Sequence, residues 1–135
     1  HMIGKICGTG SYIPPKILSN DDLSEMVETN DEWIRERTGG RNRHIAEHET
    51  ASFMAAEAAK RALENSGVSP EEIDLILVAS SSPDVIFPSV ACEVQKEIQA
   101  VNAAGYDMQA ACLRIPERAG LHCGRILQDD SGYWN

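Results

Sequence analysis

No stretch of this chain approaches the roughly 20 consecutive apolar residues that a helix needs to cross a bilayer, and its start lacks the basic-then-apolar pattern of a signal peptide. These absences argue against a membrane span and against secretion. Cysteine is sparse and scattered: Cys7, Cys92, Cys112 and Cys123 form no C-x-x-C pair, which fits a reducing cytoplasm better than a disulfide framework or a zinc site. The early Gly8-Thr9-Gly10 has no third glycine at dinucleotide spacing and opens no long helix, which rejects a Rossmann fingerprint. There is no internal repeat and no low-complexity linker.

What is present suits one modest soluble domain. The chain has 135 residues, 42% hydrophobic and 24% charged, enough to bury a core. Its net charge of −9 disfavours nucleic acid and anionic membranes as partners. The charge is unevenly placed. Residues 35–44 carry Arg35, Arg37, Arg41 and Arg43 against Glu36 alone, so this window is +3 and the remainder −12. One reading of the window is a solvated helix face. The other is an anion seat, since arginine forks grip phosphate and Trp33 offers a flat face on which a base can stack. His1-Met2 reads as a cloning scar.

The pattern along the chain predicts a first strand over Lys5–Tyr12, closed by Pro14-Pro15. Ser19-Asn20-Asp21-Asp22 caps a short helix through Val27, and a second helix runs from Asp31 to Thr38 and stops at Gly39-Gly40. The longest helix spans about Thr50–Asn65, with Phe53, Met54, Ala55, Ala58, Ala59 and Ala62 as its apolar face and Gly67 as its left-handed stop. Ser69-Pro70-Glu71-Glu72 is a compact capping box introducing a turn or two of helix. The uninterrupted run Leu75–Ala79 predicts a strand buried on both faces. A polar loop over Ser80–Asp84, a helix from Pro88 to about Gln99 and a buried strand from Gly105 to Met108 complete an α/β order that leads to Cys112.

A thiol becomes a nucleophile when its thiolate is stabilised, and a strand turning tightly into a helix N-terminus achieves this through converging amides and the helix dipole. Ala110-Ala111 supply the small side chains such a turn needs. An isolated cysteine beside alanines also suits a packed interior. Cys7 in a strand and Cys92 beside Val90 and Val94 read as packing residues. His44 and His48 lack a third ligand and read as surface or loop histidines, so no metal site is expected.

Taken together, Thr29-Asn30-Asp31-Glu32-Trp33-Ile34, Arg37-Thr38-Gly39, Arg43-His44, Phe87-Pro88-Ser89 and Ala110-Ala111-Cys112 resemble the N-terminal part of β-ketoacyl-acyl-carrier-protein synthase III. The resemblance covers residues 3–112. It implies the N-terminal half of a thiolase-like layered fold with a mixed, mostly parallel buried sheet. It also implies a cytoplasmic homodimer in which Cys112 takes an acyl group, usually acetyl, from acyl-coenzyme A and condenses it with malonyl-acyl carrier protein. Coenzyme A is then a substrate, and no cofactor is permanently bound. By the same resemblance Trp33 stacks on the adenine, Thr29 lies near it, Arg37 contacts the phosphates, and Phe87 lies at the dimer interface near the partner subunit's acyl pocket. Gly40 departs from the family, which has a branched apolar residue there. The histidine and asparagine that support the carbanion and oxyanion lie in the family's second half, so the 135-residue chain alone is expected to be inactive. Another thiolase-fold condensing enzyme with a different acyl donor, or a non-catalytic binding or dimerising fragment, are the competing readings.

Residues 113–135 lose this pattern. Pro116, Gly120, Gly124 and Gly132 stand among scattered charges, with no periodic run long enough for an element. Read from the second base of the Leu113 codon, the codons permitted for residues 113–119 include those for S-G-F-L-N-A-L, the family's continuation after its nucleophile. A single-base frameshift at or just after Cys112 is therefore the expected origin of this tail, with a fusion or natural variant as the rival.

Overall fold

A computed structural model describes residues 5–80, 83, 85–109 and, by backbone alone, 121–123. The chain divides into two compact units, Ile13–Thr50 and the remainder.

In the smaller unit, strands β1 (Lys16–Ser19) and β2 (Asn42–Ile45) pair antiparallel, from Lys16 opposite Ile45 to Ser19 opposite Asn42. Helix α1 (Asn20–Ser24) opens on a reciprocal cap: the Ser19 hydroxyl accepts from the Asp22 N–H at 3.1 Å, and the Asp22 carboxylate accepts from the Ser19 N–H at 2.8 Å. The helix stops at Ser24, short of the expected Val27, and only a turn continues. Helix α2 occupies Asp31–Thr38 as the sequence predicts. Its N-cap Asn30 accepts from the Trp33 N–H at 2.8 Å, and Gly39 ends it at φ 71°, a left-handed conformation that costs glycine little.

The larger unit holds the apolar core. Helix α3 (Ala51–Ser66) stops at Gly67, with φ 70°, and a short 3₁₀ turn at Pro70–Glu72 leads into strand β3 (Ile73–Ala79). Helix α4 (Val90–Ile98) then crosses to strand β4 (Ala104–Met108), which pairs parallel with β3 from Leu75–Ala104 to Ala79–Met108. Strand β5 (Leu121–Cys123) pairs antiparallel on the other edge of β3, giving the mixed order β4-β3-β5. Ala56, Ala59 and Leu63 of α3 meet Ile73 and Ile76 of β3 and Val90, Ala91, Val94 and Ile98 of α4. Burying each of the larger side chains contributes about 1.5–3 kcal/mol.

Residues 5–14 form no strand among the described residues, and the first strand is Lys16–Ser19. The early segment instead lies along α3. A Cβ added at Gly10 would sit 2.3 Å from the Ala58 carbonyl oxygen and the Ala62 nitrogen, and one at Gly8 would sit 2.7 Å from Ser66 Cβ. Thr9 N–H donates to Asn65 Oδ1 at 3.0 Å, and the Arg61 guanidinium lies 5.4 Å from the centre of the Tyr12 ring. The two glycines thus serve close backbone packing.

That second contact also explains why only part of the expected face of α3 joins the core: Ala59 is buried with Ala56 and Leu63, Ala58 and Ala62 lie against Gly10, and Phe53 is exposed. The helix is used on two sides, and the exposed Phe53 meets Tyr12 edge-on at 5.4 Å. Cys7 and Cys92 are exposed, not packed. Cys92 stands roughly 200° around the helix from Val90, away from the Val90–Val94–Ile98 stripe. Strand β4 is not buried as expected: among the described strands it is one of the two edges of its sheet, with Tyr106 exposed. Residues 113–135, expected to form no element, contain β5, because the free edge of β3 offers backbone partners independently of side-chain pattern.

Candidate functional site

The residues that carry the anion-seat reading lie on and around α2, and the helix sorts them onto different faces. Trp33 and Arg37, one turn apart, share a side: the Arg37 guanidinium carbon lies 4.9 Å from the centre of the Trp33 ring, a cation–π contact. Trp33 is 52% exposed, so the indole remains open to a ligand. Just before the helix, the Thr29 hydroxyl oxygen is shielded from solvent and has no hydrogen-bond partner.

Asp31 and Arg35 occupy another side and pair at 3.4 Å. With Ser19, Asn20, Asp21, Arg41 and Asn42 they line a cleft of about 320 Å³. Arg43 is turned to structure, donating to the Asn20 side-chain oxygen at 3.1 Å. The four arginines are therefore not one seat. Arg37 alone among them joins Trp33, while Arg35 and Arg41 sit opposite carboxylates in the cleft. The Asp31 carboxyl is held below its ordinary range, chiefly by the hydrogen bond from Asn20; burial opposes this, and Arg35 and Arg41 each add a lesser lowering. His44 is exposed, with Nδ1 2.8 Å from the Pro14 carbonyl oxygen, and His48 is exposed as well. Among the described residues no group of His, Cys, Asp and Glu has metal-binding geometry.

Phe87 lies in the other unit, in the stretch leading to α4. It is 90% exposed beside Ile86 at 95%. Ser89 caps α4 by accepting from the Cys92 N–H at 3.2 Å, and the Asp107 carboxylate of β4 accepts from the Val90 and Ala91 N–H groups, each at 2.8 Å. That carboxylate ties the strand leading toward Cys112 to the start of α4. Cys112 itself lies outside the described residues.

Two contributors escaped the sequence reading. Asp107 gives no local signal, because its partners are 16 and 17 residues away. Asn20 was visible only as one polar residue in a capping run, although it is the buried polar side chain of this unit, 2% exposed.

No family model matches the chain. Curated relatives do. Over 108 residues, 80% of this chain, it is 56% identical to a β-ketoacyl-[acyl-carrier-protein] synthase III of Clostridium acetobutylicum, covering 33% of that protein. Over 112 residues it is 51% identical to the synthase III of Xanthomonas campestris, covering 34%. Among solved structures, 3-oxoacyl-[acyl-carrier-protein] synthase III from Aquifex aeolicus superposes with a TM-score of 0.76 at 49% identity, covering 80% of this chain and 35% of that one. The priming β-ketosynthase of the R1128 polyketide pathway gives 0.76 at 41%, covering 80% and 33%. The described residues thus have the α/β architecture of part of a thiolase-type condensing enzyme, and the chain spans about a third of the length of the relatives it matches.

Proposed function

We propose, for a chain homologous to the β-ketoacyl-[acyl-carrier-protein] synthase III proteins over about a third of their length, that it carries the coenzyme A seat and the nucleophile of such an enzyme. The complete protein is a cytoplasmic acyltransferase of fatty acid synthesis, acting as a homodimer. In this reading the Cys112 thiolate attacks the thioester carbonyl of acyl-coenzyme A, commonly acetyl, and the coenzyme thiolate leaves. Malonyl-acyl carrier protein then loses CO₂, and its carbanion attacks the acyl-cysteine and releases the Cys112 thiolate. Trp33 stacks on adenine, Thr29 lends its unpartnered hydroxyl, Arg37 binds phosphate, and Phe87 reaches the partner subunit's acyl pocket.

The observation that carries the reading is the 56% identity. Such a stretch within 135 residues necessarily includes residues 28–108, and so Thr29, Trp33, Arg37 and Phe87. The paired Trp33 and Arg37 add support, since an aromatic face beside a fixed cation suits a nucleotide that ends in phosphates. The likeness to a polyketide priming enzyme favours one second reading, the same chemistry with a different primer.

Residues 113–135 are proposed to arise from a frameshift at or just after Cys112. Resequencing the coding DNA should restore S-G-F or a near variant there, and no family-like continuation in any frame would dismiss the idea. In the restored protein, peptide mass mapping after incubation with acetyl-coenzyme A should find the thioester on Cys112 alone. Label persisting in Cys112→Ala contradicts the assignment. Arg37→Ala should raise the KM for acyl-coenzyme A roughly tenfold by removing one charged contact, with kcat nearly unchanged. The 135-residue chain itself should show no condensation. Cys112-dependent turnover by it would refute both the frameshift and the need for the family's second half.

A further inference from the structure

One buried amide holds both ends of the helix that presents Trp33 and Arg37. Asn20 Nδ2 donates to Asp31 Oδ1 at 2.7 Å and to the Gly40 carbonyl at 2.9 Å. Asp31 is the first residue of α2, and Gly40 follows its C-cap Gly39. The helix between them is about 12 Å long. The remaining capacity of the amide is also used, because Asn20 Oδ1 accepts from Arg43 at 3.1 Å. The Asn20 backbone N–H donates to the Arg41 carbonyl at 3.1 Å. Asn20 therefore fixes the start of α2, the turn that ends it and the strand that follows, while touching neither Trp33 nor Arg37 by any of these bonds.

We infer that Asn20 is a positioning residue for the coenzyme seat, its carboxamide clamping the two ends of α2 so that Trp33 and Arg37 are held in register for an adenine nucleotide phosphate. This rests on the coenzyme reading above. The chemistry is specific to an amide: two donors meet two acceptors, and one acceptor meets a guanidinium donor. Asn20→Asp keeps the volume but replaces the donors with a second carboxylate facing Asp31 and the Gly40 carbonyl. A residue that only filled space would tolerate that change. A clamp does not, because the Asp31 and Gly40 acceptors lose their donors and gain a repelling neighbour.

The test uses the full chain carrying Trp134→Phe, so that Trp33 alone reports, titrated with coenzyme A and followed by quenching of Trp33 emission. Asn20→Ala and Asn20→Asp are each expected to weaken the dissociation constant at least tenfold, with Asp no milder than Ala. Amide exchange should rise over residues 31–38 while protection of α3 is unchanged. Should Asn20→Ala leave the smaller unit unfolded, Asp31→Asn gives the graded form. It keeps an acceptor for one clamp bond and should weaken binding less than Asn20→Asp. Parent and Asn20 variants binding coenzyme A equally would overturn the clamp alone, as would Asn20→Asp behaving like the parent. A parent chain that does not quench with coenzyme A would overturn the coenzyme reading, and the inference with it.

Discussion

The two units are held together by different physics. In Ile13–Thr50 the buried residues are Ile34 and the polar Asn20, and order comes from the Ser19–Asp22 cap, the Asn20 clamp, the Asn30 cap and an antiparallel strand pair. In the larger unit eleven apolar residues from α3, β3, α4 and the loops around them form one cluster. Burial of apolar area is non-directional and tolerates small shifts, whereas a hydrogen-bonded network fixes angles and registers. A seat for a charged nucleotide needs fixed side chains on an open surface, where little apolar area can be buried. The polar geometry of the smaller unit is of that kind, which suits the coenzyme seat proposed above.

The contrast can be broken from either side. The largest effect is expected from Ile76→Ala, which empties a site 1% exposed on the central strand and should cost about 2–5 kcal/mol. Chemical denaturation followed by α3 and β3 amide exchange measures it, and a cost under about 1 kcal/mol would mean the apolar cluster is not the scaffold. A middle effect is expected from acid. The Asp22 carboxyl is held low by the Ser19 hydroxyl and N–H, and that of Asp31 chiefly by Asn20. A depressed folded value gives stability that is present above the unfolded carboxylate value and lost as pH falls through the folded one, here below about pH 4. In the chain carrying Trp134→Phe, Trp33 emission should therefore change on acidification before β3 and α4 lose protection. Simultaneous loss would erase the distinction between the units. The smallest effect is expected at the Lys16–Glu47 pair, 2.5 Å apart with both side chains half exposed. Lys16→Ala should cost less than about 1 kcal/mol and less still in high salt. A larger, salt-insensitive loss would show this ion pair to be part of the network.

Local signals were read where the cause is local. The stop of α2 at Thr38 followed from Gly39-Gly40, and the apolar run Leu75–Ala79 marked β3, although within that run only Ile76 is buried and Ala79 is exposed, so the strand is not covered on both faces. Lys5–Tyr12 was misread, since its apolar character and glycines fit an edge strand as well as a segment pressed onto a helix. What separated the two was the small surface of Ala58 and Ala62, nearly fifty residues on. Cys92 was placed inside on the strength of its neighbours, although Val90 and Val94 lie one turn apart and Cys92 faces away from them. The arginine window was legible as charge, but its division was not. Residue spacing says that Arg35 and Arg37 leave α2 in different directions, and nothing in it says that Arg43 will be drawn to Asn20.

The sequence by itself determined the caps and stops of the helices, the central strand, the string that resembles a condensing enzyme and the candidates Thr29, Trp33 and Arg37. The stops and the strand follow from residue type and spacing within a few turns of chain, Trp33 and Arg37 from the charge window together with the resemblance, and Thr29 from the resemblance alone. Tertiary structure alone decided that Asn20 bridges Asp31, Gly40 and Arg43, that Asp107 seals the start of α4, and that Gly8 and Gly10 lie against α3. These contacts join residues 11 to more than 50 positions apart. A donor or acceptor carries no mark of its distant partner until the chain has folded and removed water as the alternative.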